Sequence, residues 1–242
     1  MLPLAEQLVA PRAASRGWIS SFVRDQVCTL DPAYFAMVMA TGIVAVACQL
    51  LGLVWIAHLL AGVNFIAFAV LFGMTMARIF LFSREMLRDL ADHQTGVGFF
   101  TLVAGTAVLG SQSVILFGLY RLAAVLWIAS CALLLVVVYA VFAAFTIKEE
   151  KPSLAEGIHS GWLVAVVATQ SVATLGAQMM QAYPAQMEKI ALVSVALWSS
   201  GGMLYIWMIS LIFYRYTFFR LQPRDPLLSF IGRLPPGGFR CW

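Results

Sequence analysis

Phe99–Gln112 reads FFTLVAGTAVLGSQ, a stretch apolar enough to lie in a bilayer that still carries Thr101, Gly105, Thr106, Gly110, Ser111 and Gln112. A helix facing only lipid gains nothing from such small and polar side chains. A helix facing a neighbour or a water-filled path needs them, because small residues let backbones approach and hydroxyls and amides find partners across the contact. The same habit recurs around Thr41–Gln49 and Thr169–Gln178. The three segments read as helices of one working unit within a membrane.

Composition agrees. The chain has 242 residues, 62% of them hydrophobic and only 11% charged, with a mean hydropathy of +0.90. Soluble domains carry about 25% charged residues, and several apolar runs here exceed the roughly 20 residues a spanning helix needs. The fold class is an all-α integral membrane protein. Cys28, Cys48, Cys131 and Cys241 form no CxxC and no metal-like spacing with histidine. Cys48 and Cys131 lie in apolar runs and read as small buried hydrophobes, so neither a metal nor a cofactor is expected. Met1–Thr29 holds Arg12, Arg16 and Arg24 but no compact apolar core before a cleavage site, so the first span serves as its own insertion signal.

Six spans follow from the apolar runs, at about residues 33–51, 54–82, 98–119, 122–147, 161–181 and 190–214. They make a transmembrane domain of 33–219 between an N-terminal segment, 1–32, and a tail, 220–242. The spans group as three helical-hairpin repeats. Each has one helix out, a tight turn, one helix back and a basic exit, at Arg84, Lys148 and Arg215. Gly42 and Gln49, Gly105 and Gln112, and Ser171 and Gln178 are each seven residues apart, and the glutamines follow one another at offsets of 63 and 66. Seven residues are about two turns, which places the small residue and the amide on one face roughly 10 Å apart.

All but Arg121 and Lys189 of the fifteen Lys and Arg residues fall on the side that carries the termini and the loops after the second and fourth spans. That asymmetry predicts a multi-pass protein of the cell membrane with both termini cytoplasmic. It also accounts for the net charge of +4 without nucleic acid as a partner. None of the eleven Asp and Glu residues falls in the middle of a span. Cation and proton pathways need intramembrane carboxylates or histidines, so a route lined by hydroxyls and amides suits a small anionic or neutral solute better. The candidates for lining it are Thr41, Gly42, Gln49, Gly105, Thr106, Gly110, Gln112, Thr169, Gln170, Ser171 and Gln178. At any single position close packing is the alternative, and the threefold recurrence favours a path. Catalysis is not expected: Ser111 has no general base within its pattern, and His58, His93 and His159 fall at loops or helix ends.

Four stretches carry a resemblance. Pro32–Gly42 (PAYFAMVMATG), Gly98–Thr106 (GFFTLVAGT), Gly161–Ser171 (GWLVAVVATQS) and Gly201–Trp207 (GGMLYIW) together resemble the tellurite-resistance/dicarboxylate transporter family over about residues 30–220. That family includes bacterial tellurite-resistance proteins, plant slow anion channels and fungal malate and sulfite exporters. The resemblance implies a ten-helix, five-hairpin parent fold, homotrimers, a pore lined by the odd helices, and movement of dicarboxylates or other small anions. Against that pattern the chain has six spans, no counterpart of the phenylalanine that occludes the pore from the ninth helix, and a tail with Pro223, Pro226, Pro235 and Pro236. It reads as C-terminally truncated relative to the family. The alternative function is a membrane fragment or assembly subunit that does not itself transport.

Overall fold

The structure, a computed structural model, describes Val27 and residues 30–92, 95–147 and 157–219. Among the described residues there are seven α-helices and no strands: α1 Phe35–Leu50, α2 Val54–Leu81, α3 Ser83–Leu90, α4 Phe99–Phe117, α5 Tyr120–Ile147, α6 Leu163–Met179 and α7 Met187–Phe218. All but α3 are, with their short lead-in turns, long and apolar enough to cross a membrane. The N-terminal segment before Val27, His93, Lys148–Glu156 and the tail from Arg220 lie outside the described residues.

The hairpin repeat is visible in how each leading helix starts. A single 3-10 turn precedes each one, at Pro32–Tyr34, Gly96–Gly98 and Ser160–Trp162. Pro32 fits the first turn because its missing N–H has no intrahelical partner there, and the Asp31 carboxylate accepts the Ala33 N–H at 2.8 Å. At the third entry the His159 ring takes the same part, accepting from the Gly161 N–H at 3.1 Å. The far-end turns of the first two hairpins pass through Gly52 and Gly118, at φ +80° and +63°, where a side chain would be strained. The third hairpin turns instead through two 3-10 segments, Met180–Ala182 and Pro184–Gln186. The helix then begins at Met187, so Glu188 and Lys189 sit in its first turn rather than in a loop.

The three leading helices stand side by side in the order α1, α4, α6, and each returning helix packs on the outside of its own partner. α2 also reaches α4, and α5 reaches α6, so each hairpin grips the next. α4 is consequently covered from both sides: 78% of its spanning window is buried, against 22% for the first span and 17% for α2 and α7. The larger core joins α4, α5 and α6 through Phe100, Val103, Ala107, Val141, Ala168, Val172 and Leu175. A smaller one joins α1, α2 and α4 through Phe35, Val38 and Leu102, with Phe68, Leu71 and Phe72 against them. The outward faces carry bulky apolar side chains such as Trp55, Ile66, Leu135, Trp198 and Met203, as a lipid-facing surface requires.

Between helices in a bilayer, close contact and hydrogen bonds replace hydrophobic burial as the adhesive. Two glycines set the spacing. A Cβ on Gly42 would stand 2.5 Å from Val108 Cγ1 where α1 crosses α4, and one on Gly110 would overlap Leu175 Cδ2 where α4 crosses α6. At one end of the bundle the buried Arg78 guanidinium donates to the Leu30 carbonyl at 2.6 Å and pairs with Asp89. Thr95 donates to the Asp89 carbonyl at 2.7 Å. The short helix α3 is thereby tied to α2 and to the chain entering α1.

Candidate functional site

A groove of about 400 Å³ runs along the seam where the three leading helices meet. Ile43 and Val46 line it from α1, and Val108, Ser111 and Ile115 from α4. α6 contributes Val166, Val167, Gln170, Ser171, Thr174 and Gln178. Each set is a helical stripe, with residues three, four or seven apart facing the same way. From Val166 to Gln178 the lining extends about 18 Å along the axis at 1.5 Å per residue, a large part of the hydrocarbon thickness. The groove opens on the flank of the bundle, where Ile43 is 56% exposed and Val167 40% exposed.

Among the described residues no charged side chain lines this groove. Its polar groups are the hydroxyls of Ser111, Ser171 and Thr174 and the amides of Gln170 and Gln178. Gln170 Nε2 is held by the Trp198 carbonyl at 3.1 Å, with Gly201 of α7 leaving room for the amide, and Thr174 donates to the Gln170 carbonyl at 2.8 Å. Gln178 Oε1 is buried and has no hydrogen-bond partner among the described residues. The lining is thus mostly apolar. Among the described residues the Ser111 and Ser171 hydroxyls are not bonded to a carbonyl, and there a small anion could exchange part of its hydration.

The eleven residues selected from the sequence fall into three environments. Gln170, Ser171 and Gln178 line the groove. Gly42, Gly105, Thr106, Gly110, Gln112 and Thr169 lie in the contacts between helices, while Thr41 and Gln49 are half-buried on α1. Thr106 and Thr169 donate to the carbonyls of Leu102 and Ala165 in their own helices. Gln112 is fully buried and accepts from Asn64 Nδ2 of α2 at 2.8 Å. Gly105 faces Phe35 at ordinary contact distance. The sequence reading did not select Ser111 and Thr174, or the apolar ribs Ile43, Val46, Val108, Ile115, Val166 and Val167. The stripe Ser171–Thr174–Gln178 was available as a signal, because Thr174 falls three residues from one and four from the other.

Among the described residues no cluster of His, Cys, Asp and Glu is arranged to hold a metal ion. No curated protein and no solved structure matches the chain. The model of the SLAC1 family, described as voltage-dependent anion channel, matches residues 29–237. That match takes in all three hairpins and the seam between their leading helices, and the family is one of anion channels and transporters, generally not enzymes. The chain therefore belongs to the voltage-dependent anion channel family.

Proposed function

We propose that the chain moves small anions along the groove between α1, α4 and α6, with dicarboxylates and oxyanions of the tellurite or sulfite kind as the substrate classes. Supporting this reading most directly is the lining itself, a largely apolar groove between the three leading helices. Its polar groups are Ser111 of α4 and Gln170, Ser171, Thr174 and Gln178 of α6, and among the described residues no carboxylate lines it. An anion entering it meets donors and no like charge, whereas a cation meets no counter-charge. Gly42 and Gly110 set how closely the leading helices approach and so fix the width of the path. The protein sits in the cell membrane with both termini in the cytoplasm, as the placement of Lys and Arg favours. A homotrimer is the proposed assembly.

The groove's position on the flank favours a second reading. Polar groups at bilayer depth are tolerated only against protein or water. A neighbouring chain that covers Ser171, Thr174 and Gln178 would meet that condition, and an assembly subunit without flux of its own would present the same surface. Reconstitution separates the two. The 242-residue chain in liposomes is expected to pass malate, sulfite or chloride in preference to potassium, and Ser171→Phe, which fills the groove, is expected to abolish that flux. Liposomes no more permeable than empty ones, from correctly folded protein, would exclude the transport reading and leave the subunit.

A further inference from the structure

A second cavity, about 430 Å³, lies between the returning helices α5 and α7, away from the seam. Ala124, Trp127 and Ile128 form one wall, Ile190 and Val193 the other, Met179 of α6 the floor, and Tyr183, Gln186 and Lys189 the rim. Ile128 is 64% exposed and Val193 39% exposed, so the cavity opens sideways to the bilayer. Its walls are fixed: Trp127 Nε1 donates to the Val172 carbonyl at 3.1 Å, and the Tyr183 hydroxyl donates to the Tyr120 carbonyl at 3.2 Å.

The repeat supplies its own control. At offsets of 63 and 66, Arg121, Ile128 and Tyr183 correspond to His58, Phe65 and Phe117. In the earlier hairpin pair those three are rings, with Phe117 between the others at 5.2 Å from His58 and 6.2 Å from Phe65, centroid to centroid. In the later pair the cluster is lost, Ile128 replaces Phe65, and a cavity stands in its place. The charge changes with it. Lys189 is at the rim, and Arg121 lies on the same α5 stripe as Ala124 and Ile128, about one turn beyond Ala124 toward the helix start, so the two cations absent from the basic side of the protein both lie at this end of the cavity's helices. Both are exposed, and among the described residues neither forms an ion pair. Glu188 is the one acid beside them.

We infer that this groove holds an anionic phospholipid, with one acyl chain between α5 and α7 and the phosphate between Arg121 and Lys189. The occupant is a lipid rather than a free anion because the cavity below the two cations is apolar and opens to the hydrocarbon. Basic side chains at a membrane surface attract anionic headgroups, and tryptophan and tyrosine suit the boundary where head and tail meet.

Native mass spectrometry of the full chain in mild detergent tests this, with dioleoyl phosphatidylglycerol and dioleoyl phosphatidylcholine as probes. One phosphatidylglycerol per chain should be retained at concentrations where phosphatidylcholine is not, and added glycerol phosphate should not displace it. Arg121→Gln with Lys189→Gln, at exposed positions that leave the packing intact, should weaken retention by about tenfold or more. Ile128→Phe, which copies the filled cavity of the earlier hairpins, should do the same with both cations in place. Equal retention of the two lipids, or unchanged retention in the charge variant, would overturn the assignment, and displacement by glycerol phosphate would make the site one for free phosphate.

Discussion

Gly110→Ala puts the helix-crossing argument to a measurement. The added methyl would fall on Leu175 Cδ2, within contact distance also of Cδ1 at 3.2 Å and Cγ at 3.4 Å. Leu175 is fully buried in the core with Val103, Ala107 and Val172, so its side chain has nowhere to swing. Overpacking of this kind costs about 1–3 kcal/mol, set against a gain of up to about 1 kcal/mol in helix propensity for glycine to alanine. Gly105→Ala, seven residues from Gln112 on the same helix, is the matched control. Its methyl would meet Phe35 atoms at 3.5 Å and beyond, ordinary contact, so the propensity gain stands alone. Equilibrium unfolding in mixed micelles, followed by circular dichroism, should rank Gly105→Ala at or above the unmodified chain and Gly110→Ala below it. Leu175→Ala alone should cost about 2–5 kcal/mol. Combined with Gly110→Ala it should lose less than the sum of the two by about 1 kcal/mol or more, because the new methyl then enters vacated space. Strict additivity, or equal stability of the two alanine variants, would refute the crossing as drawn.

The remaining predictions concern the amides and the groove. Asn64→Leu leaves the buried Gln112 amide without its partner and should cost about 1–2 kcal/mol in the same unfolding assay; Asn64→Leu with Gln112→Leu should recover part of that, since no polar group is then stranded. Cysteine in place of Ser111 or Ser171 should react with a water-soluble thiol reagent in reconstituted protein, while cysteine in place of Gln112 should stay protected. Equal protection at all three would show the groove to be dry.

The spans, their pairing into hairpins and the threefold repeat were legible in the sequence because each rests on a local signal. Apolar length gives a span, a glycine or proline gives a turn, and the 63- and 66-residue echoes give the repeat. Which helix stands in the middle was not legible. With three hairpins in a row, the second leading helix has a neighbour on each side. Residues whose type suits a lined path, such as Thr106 and Gln112, are buried there by position in the array rather than by any property of α4. The short helix α3 was missed for a related reason. Its pattern is charged, and its attachment through Asp89 depends on Arg78, eleven residues earlier and at the far end of an apolar span.

Gln112 and Gln178 show where the repeat stops being informative and why. They occupy equivalent places in successive hairpins, 66 residues apart, yet one is closed off and the other borders the groove. The difference lies on the preceding returning helix. Asn64 of α2 and Trp127 of α5 are themselves equivalent, 63 residues apart. Asn64 is short and amide-tipped, and it reaches the Gln112 side chain. Trp127 is long, and its single donor goes to the backbone carbonyl of Val172 instead. The Gln178 oxygen is without a partner. The two copies therefore differ in which amide the preceding helix reaches: Gln112 has a side-chain partner on α2, and Gln178 borders the groove. The same tryptophan forms a wall of the apolar cavity between α5 and α7. Divergence at this one repeat position therefore accompanies two features that set the third hairpin apart from the second: an amide that borders the groove between the leading helices and an apolar cavity between the returning ones.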